Sequence, residues 1–527
     1  MMADVQGRGR LIQHRRRRVL RQHLRQQRAA RSRGRWRPTL QRRGAASRSR
    51  WALLCSGHIG GAGTPRRHLR REVRSMAQPH ELTLGQAAAA IRSGDLSPVT
   101  LIESLLARID AVDPKVKAWA YVARDQALLA AREAEPNART ASANRPLHGV
   151  PFAAKDIFDS AGMPTEAGSD HYKGRVPPKD STPIAKLKQA GAILLGKVET
   201  TEFADGHPAP SRNPYHVEHS PGGSSAGSGA AVGARMVPMA LGSQTVGSVL
   251  RPAGFCGVVG FKPTFGRVSR LGVIPMSYAL DHVGWLARTV EDIALTLQVL
   301  AGYDPDDPDS ANVPVDDYVG AAKDGARPPR IGLLQYYFDR ADDTMRKSTL
   351  AAVERLAKAG AEVDELRLDV DFDRTFKYHR VVQGAEMAHW HIKEGLWARQ
   401  EKYKSGTQAF IARGAGFPGH EYVEGQIARA RTREQFTEAL GKVDILVSPT
   451  TSAPAPALSE NFTGDPAWQS PWTFIGLPVI CLPTGLSDKG LPTSIQFGAK
   501  AFDEARLLGI ASWVESTLGV TMSVPTY

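Results

Sequence analysis

The stretch that most narrows the folding options is His219-Ser-Pro-Gly-Gly-Ser-Ser-Ala-Gly-Ser-Gly-Ala-Ala-Val-Gly, followed by Ala240-Leu-Gly-Ser-Gln-Thr-Val-Gly-Ser-Val-Leu-Arg-Pro-Ala. Two loops of glycine and serine flank an apolar run. Small residues at this density let backbone amides approach a ligand, because no Cβ intervenes, and so permit anion binding at a helix N-terminus or nest. Gly223-Ser-Ser-Ala-Gly227 fits the G-x-S-x-G elbow of an α/β-hydrolase, with Ser225 as nucleophile. That elbow needs a hydrophobic strand directly before it, and residues 215–221 are polar and end in proline. Gly227-x-Gly229-x-x-x-Gly233 has the wrong spacing for a dinucleotide loop and lacks the same strand. The plainest alternative is a tight turn with only a packing role.

Around this segment, helical and strand patterns alternate. Ser97-Pro98 places a cap and a first-turn proline before Leu101, Ile102, Leu105, Leu106 and Ile109, and the run is expected to end at Asp113-Pro114. A helix over 182–189, a break at Gly191 and a strand over 192–195 make an αβ step. The step recurs as a helix over 350–358, Gly360 and a strand near 361–363. A capped helix starts at Thr289. Strands over 445–447, 479–482 and 494–497 and a helix over 503–515 follow. Such alternation predicts an α/β domain whose sheet is covered by helices on both faces. The Asp-, Pro- and Gly-rich stretch 302–330 reads as a linker, and 331–440 as mostly helical.

The formal net charge of +15 suggests a polyanion partner until its distribution is read. Residues 1–75 hold 22 arginines, no lysine and only Asp4 and Glu72, which is +20 in that stretch and leaves −5 for the rest. The body therefore has no electrostatic reason to seek nucleic acid. The Arg-rich segment is expected to be disordered and is read as an extension outside the mature protein, with Met76 as the start. A transit peptide and a nucleic-acid-binding arm are the competing readings. Three separated cysteines (Cys55, Cys256, Cys481) make neither a disulfide framework nor a zinc cluster. No run approaches the ~20 apolar residues of a membrane span. A cytoplasmic protein without a membrane partner is expected.

The decisive pattern joins three separated segments. Ser224 lies in the first loop, Ser248 follows 24 positions later, and Gly149-Val-Pro-Phe-Ala-Ala-Lys155-Asp156 stands upstream. In this order and spacing the chain resembles the amidase-signature family. Further blocks extend the resemblance from about Leu82 to the C-terminus. They include Gly196-Lys-Val-Glu-Thr-Thr-Glu-Phe-Ala204, Asp281-His-Val-Gly-Trp-Leu-Ala-Arg-Thr-Val-Glu-Asp292 and Gly476-Leu-Pro-Val-Ile-Cys-Leu-Pro-Thr-Gly485. The resemblance implies a single large α/β/α domain (76–527) with a mixed, twisted central sheet covered by helices. Residues 302–445 would be its variable, substrate-side part.

The implied chemistry is cleavage of a carboxylic amide without cofactor or metal. Ser248 would be the nucleophile, Ser224 the proton relay through a cis peptide bond after Gly223, and Lys155 the base. The amides of Thr245, Val246, Gly247 and Ser248 would form the oxyanion hole. Lysine serves as a base only when neutral, so Lys155 is expected in a desolvated pocket that lowers its pKa. Two departures stand out. Family members often read Asp-Thr-Gly-Gly-Ser before the nucleophile, where this chain has Gln244-Thr-Val-Gly-Ser. Val246 then needs an ordinary φ. The loss of the aspartate weighs against the glutamyl-tRNA amidotransferase branch, which is kept as the alternative along with a nucleic-acid-binding protein using the arm. The expected partner is a small-molecule amide, and a homodimer is compatible with the reading. His389 and His391 near Glu386 and Glu394 read as a helix surface or pocket wall rather than a metal site. Cys256 reads as packing, and Lys262 and Arg251 as structural ion-pair partners.

Overall fold

A computed structural model describes residues 78–140 and 144–527. The expectations for residues 1–75, the disordered arm and the nucleic-acid reading built on it, lie outside the described residues. Eleven strands form one sheet: β1 (Trp119–Val122), β2 (Pro151–Lys155), β3 (Ile193–Val198), β4 (Met239–Gln244), β5 (Val259–Lys262), β6 (His282–Ala287), β7 (Arg330–Leu334), β8 (Glu362–Leu366), β9 (Ile445–Pro449), β10 (Val479–Leu486) and β11 (Pro492–Gly498). Their order is β1-β3-β2-β4-β6-β5-β10-β11-β9-β7-β8. β2 runs parallel to β3 and β4, and β7 runs parallel to β8 and β9. The strands between β4 and β9 pair antiparallel. The architecture is the mixed α/β sheet with helices that the resemblance implies.

β2, β3, β4 and β6 are buried at every position, as strands covered on both faces must be. β8, by contrast, reads Glu-Val-Asp-Glu-Leu at the sheet edge, where charge discourages pairing with another chain. Helix Thr182–Gln189 has the expected bounds, and Gly191 (φ +88°) turns the chain into β3.

Three expectations need correction. Helix Pro98–Val116 does not stop at Asp113-Pro114. Pro114 sits in its last turn, where the missing N–H removes a single bond, and the end falls at Lys117 in the left-handed region. The helix expected from Leu350 begins at Asp343, because the Asp342 side chain accepts from Met345 N. The stretch 302–330 is not a free linker. It contains helix Tyr318–Asp324, whose Tyr318 is wholly buried, and it packs against helices Val290–Leu300 and Glu504–Leu518.

Helix Ala226–Gly233 follows the first glycine/serine loop and packs on β4. A Cβ at Gly227 would lie 2.4 Å from Ala118 O and Glu199 N. Gly229 and Gly233 likewise face Pro252 O and Cys256 O, so the glycines of this helix allow close packing against strand ends and helix Leu250–Phe255 rather than a ligand's approach. Gly227 N already donates to Glu199 O, and Ser225 N to Ser248 O.

Candidate active site

β2 ends at Lys155, pinned between β3 and β4, so its side chain emerges at the carboxyl ends of parallel strands, where α/β sheets open a crevice. Lys155 is fully buried. Its Nζ donates to Ser224 Oγ (2.7 Å) and to Ser243 Oγ (2.8 Å). Burial lowers its pKa from 10.5 to about 7, and the field of Asp281 raises it only in part. The neighbouring Asp156 does not compete for it, because Asp156 pairs with Lys197 at 3.1 Å. Lys155 is thus a buried lysine with hydroxyl partners and no carboxylate partner among the described residues.

The peptide bond between Gly223 and Ser224 is cis. The carbonyl of Gly223 accepts from Arg251 Nη2 at 2.6 Å. Ser224 and Ser248 line the same cavity, of about 220 Å³, with Thr245, Val246 and Arg251. Lys155 and Ser224 are in direct contact, whereas Ser248 Oγ makes no hydrogen bond to a protein group among the described residues and faces the cavity. Ser225 sits elsewhere: its Oγ donates to Ser243 O and accepts from Ser243 N, which fixes β4 against the loop and keeps Ser225 out of the cavity.

The turn 245–248 between β4 and helix Leu250–Phe255 is held by its carbonyls. Thr245 O accepts from His379 Nε2 (2.9 Å), and Val246 O accepts from Thr473 Oγ1 (2.6 Å). Burial pushes the His379 pKa down to about 3, so the ring is neutral, with Nε2–H as donor and Nδ1 accepting from Ser470 Oγ (2.9 Å). With its carbonyls engaged outward, the turn's four amides have no protein acceptor among the described residues.

The Gln244 departure has a structural account. Its Oε1 accepts from Val249 N (2.9 Å) and Leu250 N (3.0 Å), capping the helix after Ser248, while Nε2 donates to Thr473 Oγ1 (3.0 Å). An aspartate could accept but could not donate. Val246 keeps a negative φ, so the β-branched side chain is unstrained. Gly247 packs closely on the buried Gln469 side chain: a Cβ there would lie 2.4 Å from Gln469 Oε1, so that side chain or the turn would have to shift.

Several residues of this site were not read from sequence. Ser243, the second partner of Lys155, comes from β4, and the β2–β4 register brings it there. Asp281 accepts from Thr245 Oγ1 (2.5 Å), Met276 N and Ser277 N. Phe376, Arg380 and Gln383 of helix Phe372–Lys393 line the cavity, as do residues 204–206. Trp390 packs edge-on against Phe203, and the Phe410 ring lies behind the Arg380 guanidinium without lining the cavity itself. His391 Nδ1 bonds Tyr403 Oη (2.8 Å), and His389 Nδ1 bonds Tyr278 Oη (3.2 Å). Cys256 is buried and unreactive in setting. Lys262 and Arg251 are not ion-paired among the described residues: Lys262 donates to Pro263 O and Leu477 O, and Arg251 to Gly223 O.

A family model described as Amidase matches residues 100–508. A glutamyl-tRNA(Gln) amidotransferase subunit of Anaeromyxobacter dehalogenans is 36% identical over 484 residues, covering 84% of this chain and 98% of the relative. Among solved structures, native peptide amidase from Stenotrophomonas maltophilia superposes with a TM-score of 0.76 at 31% identity, over 85% of this chain and 98% of that one. A structure described as a vestigial protein complex revealing the origins of an s-triazine catabolic enzyme gives 0.77 at 31% identity, over 83% and 99%.

Proposed function

The chain belongs to the amidase family, the amidase-signature fold, and on that premise we propose that it cleaves a carboxylic amide through an acyl-enzyme on Ser248. The observation that carries this reading is a fully buried lysine, its pKa lowered to about 7, bonded to a serine that shares a cavity with a second serine beside four free amides. Serine is too weak an acid to attack an amide unaided and must pass its proton to a base. Neutral Lys155 takes that proton through Ser224. Ser248 Oγ adds to the carbonyl carbon, and the carbonyl oxygen gains negative charge opposite the amides of 245–248. Collapse expels the amine, which takes a proton back through Ser224. Water then releases the carboxylic acid and frees Ser248. Each role is assigned by proximity and chemistry.

A second reading is favoured by the sequence relatives. Their name, that of an amidotransferase component, suggests that the same cleavage supplies nitrogen to an acceptor within a complex. The absence of the aspartate at Gln244 weighs less against this than 36% identity over 484 residues weighs for it. Both readings share the Ser248 step and differ in what receives the nitrogen. Ammonia or amine release by the chain alone, from a panel of amides, anilides, carbamates and esters, separates them. Turnover by the isolated chain, lost in Ser248→Ala and Lys155→Ala, supports the amidohydrolase. A folded chain that turns over nothing until partner proteins are added supports the amidotransferase.

A further inference from the structure

The cavity at Ser248 carries more positive charge than cleavage of a neutral amide requires. Two guanidinium groups line it, Arg251 and Arg380. Arg251 is buried (4% exposed), and its Nε and Nη1 have no hydrogen-bond partner among the described residues. Arg380 projects from helix Phe372–Lys393, and its hydrogen bond goes from Nη1 to the amide oxygen of Gln383 at 2.7 Å. The Phe410 ring, 4.2 Å from its centre, covers one face of the guanidinium and orients its plane. The acids that act on these groups, Asp465 on Arg251 and Asp205 on Arg380, form no ion pair with them among the described residues. Asp205 also lines the cavity, but burial raises its carboxyl above the ordinary range, which weakens its charge.

An unpaired buried charge is costly, and a guanidinium with free N–H groups in a fixed fork is matched bidentately by a carboxylate. We propose that the amide taken at Ser248 carries a free carboxylate that docks on Arg380, with Arg251 adding to the field. The substrate class is then the monoamide of a short dicarboxylic acid. A cavity of about 220 Å³ suits such a molecule, being smaller than the ~300–1,000 Å³ of drug-sized sites. An adjoining cavity of similar volume shares Ala204, Thr245 and Met276 with it and is lined by Ile157, Val273 and Ile274. That apolar space is where a neutral, hydrophobic acyl group would go instead. The proposal rests on the reading of Ser248 as nucleophile.

The test uses glutaramate and its neutral near-isostere glutaramide, binding to the Ser248→Ala protein, which holds an amide without consuming it. Calorimetry should show glutaramate bound roughly 10- to 100-fold tighter, the range of a charge-assisted hydrogen bond. Ser248→Ala/Arg380→Gln should erase that preference, and Arg380→Lys should restore part of it. In the active enzyme, Arg380→Gln should raise KM for glutaramate more than for glutaramide. Equal binding of the two probes, no binding of glutaramate to a folded protein, or a preference that survives Arg380→Gln would each overturn the carboxylate anchor. Failure of the nucleophile reading looks different: the wild-type chain would bind glutaramate with Arg380 dependence yet turn over no amide, alone or with partners.

Discussion

The acid limb of the pH–rate profile depends on a single side chain. With its pKa at about 7, Lys155 is about half neutral at pH 7, whereas at the ordinary 10.5 only roughly one molecule in three thousand would be. The cause is structural: the ammonium is fully buried, its contacts are the two hydroxyls of Ser224 and Ser243, and the field of Asp281 offsets the desolvation only in part. In the proposed mechanism the neutral form is the base, so kcat/KM should rise with pH, with unit slope below about pH 7 and a plateau above it. The profile is measured from pH 5.5 to 9.5 on any turned-over amide. Lys155→Arg keeps charge and length but cannot lose its proton, and it should lower kcat/KM by ~10²–10⁴-fold, the usual worth of a general base. A profile flat below pH 7, or one still climbing tenfold per unit above pH 9, would refute the desolvation account. Full activity in Lys155→Arg would refute the base assignment itself.

Asp281→Asn removes the charge that raises the Lys155 pKa, so the acid limb should move to lower pH; a shift upward would mean that the carboxyl acts otherwise. Gly247→Ala places a Cβ 2.4 Å from Gln469 Oε1 and displaces the amide turn, lowering kcat by ~10²–10³-fold, as loss of an oxyanion donor does. Added Gln469→Ala should recover part of that loss, and steady-state kinetics on the double variant checks it. Thr473→Val leaves Val246 O and Gln244 Nε2 unpaired, and urea denaturation should show a loss of about 2–4 kcal/mol. Ser225→Ala should keep its catalytic rate, because that hydroxyl bonds only the backbone of Ser243.

The order of helices and strands was legible wherever short-range signals exist. Helix Thr182–Gln189 is bounded by a proline in its first turn and a glycine after it, and Thr289 caps its helix through Asp292 N. The first two turns of helix Asp343–Lys358 carry Asp343, Arg346 and Lys347 and show no apolar period until packing begins, so its start was misplaced. Strands β2 and β4, short and rich in alanine and glycine, carry little propensity of their own and are strands because neighbours cover them. That Lys155, Ser224 and Ser248 gather at one place was legible through motif spacing. Ser243 and Arg380 were not, since the first depends on the β2–β4 register and the second on how a helix over 130 residues downstream seats against the turn. The glycine run misled in one respect: within Ala226–Gly233 its freedom from Cβ atoms serves helix packing, and the open amides belong to the second loop.

Attack on the acyl carbon is proposed for Ser248, and not for Ser225 or another hydroxyl. It is tested most directly by treating the protein with a fluorophosphonate, which needs an activated serine but no knowledge of the substrate, and mapping the adduct by peptide mass spectrometry. One adduct is expected, on Ser248, forming faster as pH rises through about 7 and absent in Lys155→Arg. An adduct on Ser225, or labelling of Ser248 at an undiminished rate in Lys155→Arg, would contradict it.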